Sequence, residues 1–136
     1  MKPTRFSLLV FFLTRRYLDT AYDWDRFDIE EWSRNRYEWT QDPWNGLNDF
    51  VQEPATTIET GTGDCDDYAL VAASWATAVG RDGVGLGLCG RGPRIRHMIA
   101  FDADRSYSSG DIYSTGPGAY LDRSEYTWIY TRRIDG

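Results

Sequence analysis

Lysine is almost absent from this 136-residue chain: Lys2 is the only one, and every other cationic side chain is arginine. Histidine is down to a single residue, His97, and cysteine to two, Cys65 and Cys89. Two cysteines exclude a disulfide-rich scaffold, although one Cys65–Cys89 bridge stays open. Together with His97 they could supply three zinc ligands, but no CxxC or HxxxH spacing supports a zinc site, so neither a metal nor any other cofactor is expected. Long apolar runs are also missing. The longest, FSLLVFFL at residues 6–13, is far short of the roughly 20 residues a bilayer demands. It is flanked by Arg5 and by Arg15 and Arg16, but no small-residue cleavage site follows it. No membrane span and no signal peptide are therefore expected, and the segment reads as buried or as docking on a partner protein.

The charge balance adds a further exclusion. A net charge of −6 and a pI near 4.7 make nucleic acid an unsuitable partner for the surface as a whole. Aspartate outnumbers glutamate, and arginine replaces lysine. That pattern fits a protein of a high-salt setting, cytoplasmic or in a virus particle, where screening removes self-repulsion. A GC-rich genome gives the same arginine bias.

What is present is core material. The chain is 41% hydrophobic and 15% aromatic, which rules out a disordered segment and suits one domain. We expect an N-terminal apolar and aromatic segment over residues 1–28 and a folded domain over residues 29–136. Asp28, with Glu31 three residues later, predicts the N-terminus of a helix through IEEWSRNRYEW, closed by Pro43 and Gly46. LNDFVQEPATTIETGTG reads as a connector with room for a short helical turn, interrupted by Pro54. The next helix, about residues 65–79, is apolar on nearly every side, so it is expected at the centre, with Gly80 as its stop. From Gly83 onward, VGLGLCG, IRHMIAFDAD, YSSGDIYS and YTWIYTRRI are short β-branched or aromatic runs between turn residues. They predict three or four antiparallel strands. Helices followed by strands make an α+β fold with the buried helix packed on a sheet.

Chemistry concentrates in ETGTGDCDDYALVAASWATAVG, residues 59–80. Asp64 suits the N-cap of the central helix, with Asp67 completing a capping-box-like pair. Cys65 then falls in the first turn, where free backbone N–H groups and the helix dipole favour a thiolate or a developing oxyanion. Asp64, Asp66 and Asp67 oppose that thiolate unless they point away, so a partner cation is needed. His97, on the strand RIRHMIAF, is the only imidazole able to pair with the sulfur and move its proton. Asp111, fourteen positions further on, is our candidate to orient the ring across a hairpin, with Asp102, Asp104 and Ser114 as alternatives. The run RGPRIR reads as a solvated turn and strand edge more readily than as an anion site.

PATTIETGTGDCDDYALVAASWATAVG resembles the nucleophile region of the transglutaminase-like superfamily, nearest to its bacterial cysteine peptidases. IEEWSRNRYEWTQD, HMIAF and YTWIYTRR resemble that superfamily's preceding helix, histidine strand and closing strand. The resemblance implies a papain-like core, Cys65 as nucleophile, His97 as base, an aspartate on the following strand, and acyl transfer at an amide. In that superfamily an aromatic or Gln side chain often completes the oxyanion hole, for which Gln41, Trp44 and Asn45 are the upstream candidates. Two functions follow. The chain is either a peptidase, amidase or transglutaminase acting on a protein or peptide amide through a thioester, or the same fold kept as a non-catalytic binding or structural module, for example in a virus particle.

Overall fold

A computed structural model describes residues 7–12, 14–40 and 51–134. In chain order its helices are α1 (Ser7–Phe12), α2 (Thr14–Tyr17), a 3-10 turn (Trp24–Arg26), α3 (Ile29–Asn35), α4 (Pro54–Thr60), α5 (Cys65–Ala78) and α6 (Pro117–Arg123). Its strands are β1 (Glu38–Trp39), β2 (Thr62–Gly63), β3 (Gly85–Arg91), β4 (Arg94–Phe101), β5 (Ser106–Ser108), β6 (Asp111–Tyr113) and β7 (Trp128–Arg133). The architecture is α+β, with α5 packed on one face of a five-stranded antiparallel sheet of order β6-β5-β4-β3-β7. β1 and β2 form a separate short parallel pair beside the start of α5.

The central helix behaves as its composition requires. Tyr68, Ala69, Leu70, Val71, Ala72 and Ala73 are all fully buried, so a helix without a polar face has no solvent face along this stretch. Gly80, at a φ of +82°, ends it in a Schellman arrangement: the Gly80 N–H donates to the Thr77 carbonyl and the Arg81 N–H to the Ala76 carbonyl. Strand alternation then sorts the sheet. Leu86, Leu88, Met98, Ala100 and Tyr107 join α5 in the main core, while Cys89, Ile99 and Tyr120 make a smaller cluster on the opposite face.

Three elements depart from the sequence-based expectation in detail. The helix begun at Asp28 ends at Asn35, because the chain turns at Arg36 to let Glu38 and Trp39 pair with Thr62 and Gly63. PATTIET is a full helix rather than a connector, with Pro54 in its first turn and Gly61 left-handed at φ +70°. YSSGDIYS is two strands rather than one. Ser109 (φ +45°) and Gly110 (φ +94°) make a two-residue hairpin turn between β5 and β6, with Ser108 opposite Asp111, and this raises the sheet to five strands.

The aromatic segment before α3 packs inward. Val10, Phe11 and Trp24 belong to the same core as α5, and the Trp24 indole N–H donates to the Asp19 carbonyl at 2.7 Å. The Trp32 ring stacks on Tyr68 at 5.9 Å and 6°. Among the described residues no helix is long and apolar enough to cross a membrane.

Asp102, buried after β4, anchors the far end of the sheet. It accepts hydrogen bonds from Arg81, from the Tyr107 hydroxyl and from the Asp104 and Arg105 amides. Burial alone would raise its pKa, but these donors together hold it below the ordinary 3.8. A depressed carboxylate contributes stability above its unfolded pKa and loses it as pH falls through the folded value. Asp102→Asn should therefore cost on the order of 2 kcal/mol at pH 7. In urea melts at a series of pH values, its deficit against wild type should shrink below about pH 3.8.

Candidate active site

The glycine-rich turn of GTGDCDDYA builds the start of α5. Asp64 is the N-cap, and its carboxylate accepts the Asp66 and Asp67 amides. Asp67 reaches back to accept the Asp64 amide at 3.0 Å, which closes a reciprocal capping box. The same Asp67 carboxylate accepts the Gln52 backbone amide at 2.6 Å and the Gln52 side-chain amide at 3.2 Å. Gly63 makes room for this fold-back, since a Cβ there would lie 2.8 Å from the Asp67 Cβ. Tyr37 completes the turn by donating its hydroxyl to the Gly63 carbonyl at 2.8 Å.

Cys65 is a free, partly exposed thiol in the first turn of α5. Its Sγ–H donates to Asp66 Oδ1 at 3.3 Å, and the Met98 backbone amide of β4 also hydrogen-bonds the sulfur. Burial raises the thiol pKa well above the ordinary value. Asp66 and Asp64 raise it further, and only the Met98 amide acts the other way. Asp67 points away from the sulfur, as a thiolate requires, but Asp66 does not.

His97 precedes Met98 on β4 and faces the opposite side of the sheet, paired in register with Cys89. Its Nε2 lies 2.7 Å from the Ser108 hydroxyl on β5, and its ring stacks on Tyr126 at 5.5 Å and 12°. Ser108 in turn lies 3.1 Å from the Tyr120 hydroxyl of α6. Burial pushes the imidazole pKa down from 6.5 to about 4. Among the described residues no carboxylate pairs with this ring, and no hydrogen bond joins it to Cys65. The two meet through neighbours: Met98 touches the sulfur, and Tyr126, stacked on His97, feels a thiolate at Cys65.

The other residues singled out in the sequence fall elsewhere. Asp111 is exposed in the hairpin and lines a polar cleft of about 540 Å³ with Glu30, Ser33, Arg34 and Arg105. Asp102 is committed to Arg81 and Tyr107, Asp104 lies exposed beside Arg81, and Ser114 is exposed on the rim of the cleft. Gln41, Trp44 and Asn45 lie outside the described residues. Residues 91–96 are exposed throughout. Cys89 is buried and free, its thiol pushed up to about 12 by burial. Among the described residues no cluster of histidine, cysteine and carboxylate side chains is arranged to hold a metal ion. Sequence reasoning missed Ser108, Tyr120 and Tyr126. The only signal for Ser108 was its place on the strand after the histidine strand, where the β-period sets it on the His97 face.

This arrangement, a central helix beginning at a cysteine and laid on an antiparallel sheet, is the papain/transglutaminase-like fold. The chain is similar in structure to LapG of Legionella pneumophila in its calcium-bound form, with a TM-score of 0.57 and 19% identity over all of this chain and 79% of that one. A second Legionella pneumophila LapG structure superimposes with a TM-score of 0.54 and 17% identity, covering 96% of this chain and 79% of the other. No protein-family profile and no curated protein matches the sequence.

Asp66 is the brake that the geometry puts on the thiol. Asp66→Asn removes a like charge and the anionic acceptor, so Cys65 should alkylate at lower pH than in wild type. Iodoacetamide labelling resolved by peptide mass should show a rate at pH 7 raised several-fold at Cys65 and unchanged at Cys89.

Proposed function

We propose that the chain is a cysteine-nucleophile acyl-transfer enzyme acting on a protein or peptide amide, with Cys65 as nucleophile and His97 as its base. One observation carries the reading. The first-turn cysteine of a capped helix touches the backbone of the residue next to the chain's only histidine. The papain/transglutaminase-like fold supports the same general kind of function.

In the proposed reaction a turn of the Cys65 side chain carries the sulfur away from Asp66 toward His97. Alignments of this kind often tighten only when substrate is bound. The imidazole takes the thiol proton as Sγ attacks the amide carbonyl carbon. The oxyanion so formed is held by the Cys65 backbone N–H, because the Asp64, Asp66 and Asp67 amides are taken up by the capping carboxylates, with Gln41, Trp44 or Asn45 as further proposed donors. Collapse expels the amine, which leaves with the proton from His97, and a thioester remains on Cys65. Water resolves it in a peptidase or amidase, and a second amine resolves it in a transglutaminase. Because burial holds the thiol and the imidazole both uncharged at rest, the pair starts neutral, and the ion pair forms only as the proton moves.

That resting neutrality is also the one observation that favours the second reading, a fold retained as a binding or structural module. Inactivation by a peptidyl chloromethyl ketone in molar salt separates the two. An enzyme should gain the probe's mass on the Cys65 peptide, at a rate that falls by roughly a hundredfold in His97→Ala. Equal rates in wild type and His97→Ala would leave only the binding module.

A further inference from the structure

The His97 ring is held by a chain of two buried hydroxyls. Ser108 and Tyr120 are each 7% exposed, and they come from different elements, β5 and α6. Their oxygens form one line from the imidazole: 2.7 Å from Nε2 to Ser108 Oγ, then 3.1 Å on to Tyr120 Oη. Tyr126 stacks on one face of the ring, and Cys89 lies across the strand pair from it. Cys65, at the start of α5, acts on Tyr126 rather than on the ring itself. Glu125, beside Tyr126 in sequence, and Arg96, on the same strand as His97, act on Tyr126 with opposite signs. Among the described residues no carboxylate reaches Nε2, and a neutral hydroxyl does.

A serine hydroxyl can donate one hydrogen and accept others, so its direction is set by what lies behind it. When Ser108 donates to Tyr120, its oxygen is left to accept from Nε2–H. The ring's lone pair then sits on Nδ1, the nitrogen that takes the thiol proton in the proposed reaction. When that nitrogen takes a proton, Nε2 keeps its own, and the hydroxyl chain needs no rearrangement. Resting on the Cys65–His97 reading, we infer that Ser108, backed by Tyr120, is the positioning residue that holds His97 in the Nε2–H tautomer, a place filled by a hydroxyl pair and not by Asp111 or any other described carboxylate. A neutral partner orients the ring without stabilising its charge, which accords with an imidazole that burial alone pulls down to about 4.

The test uses the whole chain, in which a single histidine gives one set of imidazole signals. Nitrogen-15 NMR of the ring reports tautomer and titration without any substrate, while ketone labelling of Cys65 reports function. Wild type should show the Nε2–H tautomer and titrate near pH 4. Ser108→Ala should mix the tautomers and slow labelling by roughly tenfold, and Ser108→Thr should restore both. Ser108→Asp should raise the midpoint by about one to three pH units, because a carboxylate favours the imidazolium. Should Ser108→Ala not fold, Tyr120→Phe, which deletes one oxygen, should give the same loss of tautomer preference. A ring unchanged in tautomer and midpoint in Ser108→Ala, or in Tyr120→Phe where that variant stands in, overturns the positioning role even where His97→Ala still abolishes labelling. Mixed tautomers alongside full labelling of His97→Ala would instead keep the positioning role and overturn the enzyme.

Discussion

Everything near the candidate nucleophile depends on the carboxylate of Asp67. It is a charged-type group almost wholly buried, and it survives there because three N–H donors converge on it: the Asp64 amide, the Gln52 amide and the Gln52 side chain. One side chain thereby caps α5, holds the segment leading into α4, and fixes the turn that presents Cys65. The concentration of acids is not free of cost. Asp64, pressed by burial and by its neighbours Asp67 and Asp66, is raised well above the ordinary carboxylate value. Gly63 is required for the same reason, since any side chain there would occupy the space into which Asp67 folds.

The α5 start and the strand that carries His97 were legible in the sequence because both follow from short-range rules, whereas the face His97 takes, away from α5, was not. A capping pair three residues apart, an all-apolar helix and a period-2 strand leave little freedom. The order of elements, helices first and antiparallel strands after, was legible for the same reason. What stayed hidden depends on contacts distant in sequence. α4 forms because Gly61 can adopt a left-handed turn and β1 pairs with β2, and neither is visible in PATTIET itself. The reading of α3 ran too long because Glu38 and Trp39 have a strand partner more than twenty residues away.

The site shows the same division. Cys65 is a candidate from its local motif, and His97 from its uniqueness. The ring's partner could not, because an acid was expected and a hydroxyl stands there. Asp111 lies only three positions from Ser108 and directly across the hairpin from it, but the turn leaves its carboxylate in solvent. Electrostatics explain why a hydroxyl is compatible with this place. An imidazole buried between Tyr126 and the β3–β4 surface stays neutral at rest, and a neutral ring needs a hydrogen-bond partner more than a counter-ion.

The two-residue turn at Ser109 and Gly110 carries a consequence beyond the hairpin. Because strand side chains alternate, sliding β5 by one residue against β4 would offer the imidazole Tyr107 or Ser109 in place of Ser108. Gly110 also lies against the ring of Tyr37, whose hydroxyl secures the carbonyl just before the Asp64 cap. Turn length is therefore a ruler for two alignments at once, that of the imidazole and that of the cysteine loop. A single inserted or deleted residue in this hairpin would displace the imidazole and the cysteine loop together.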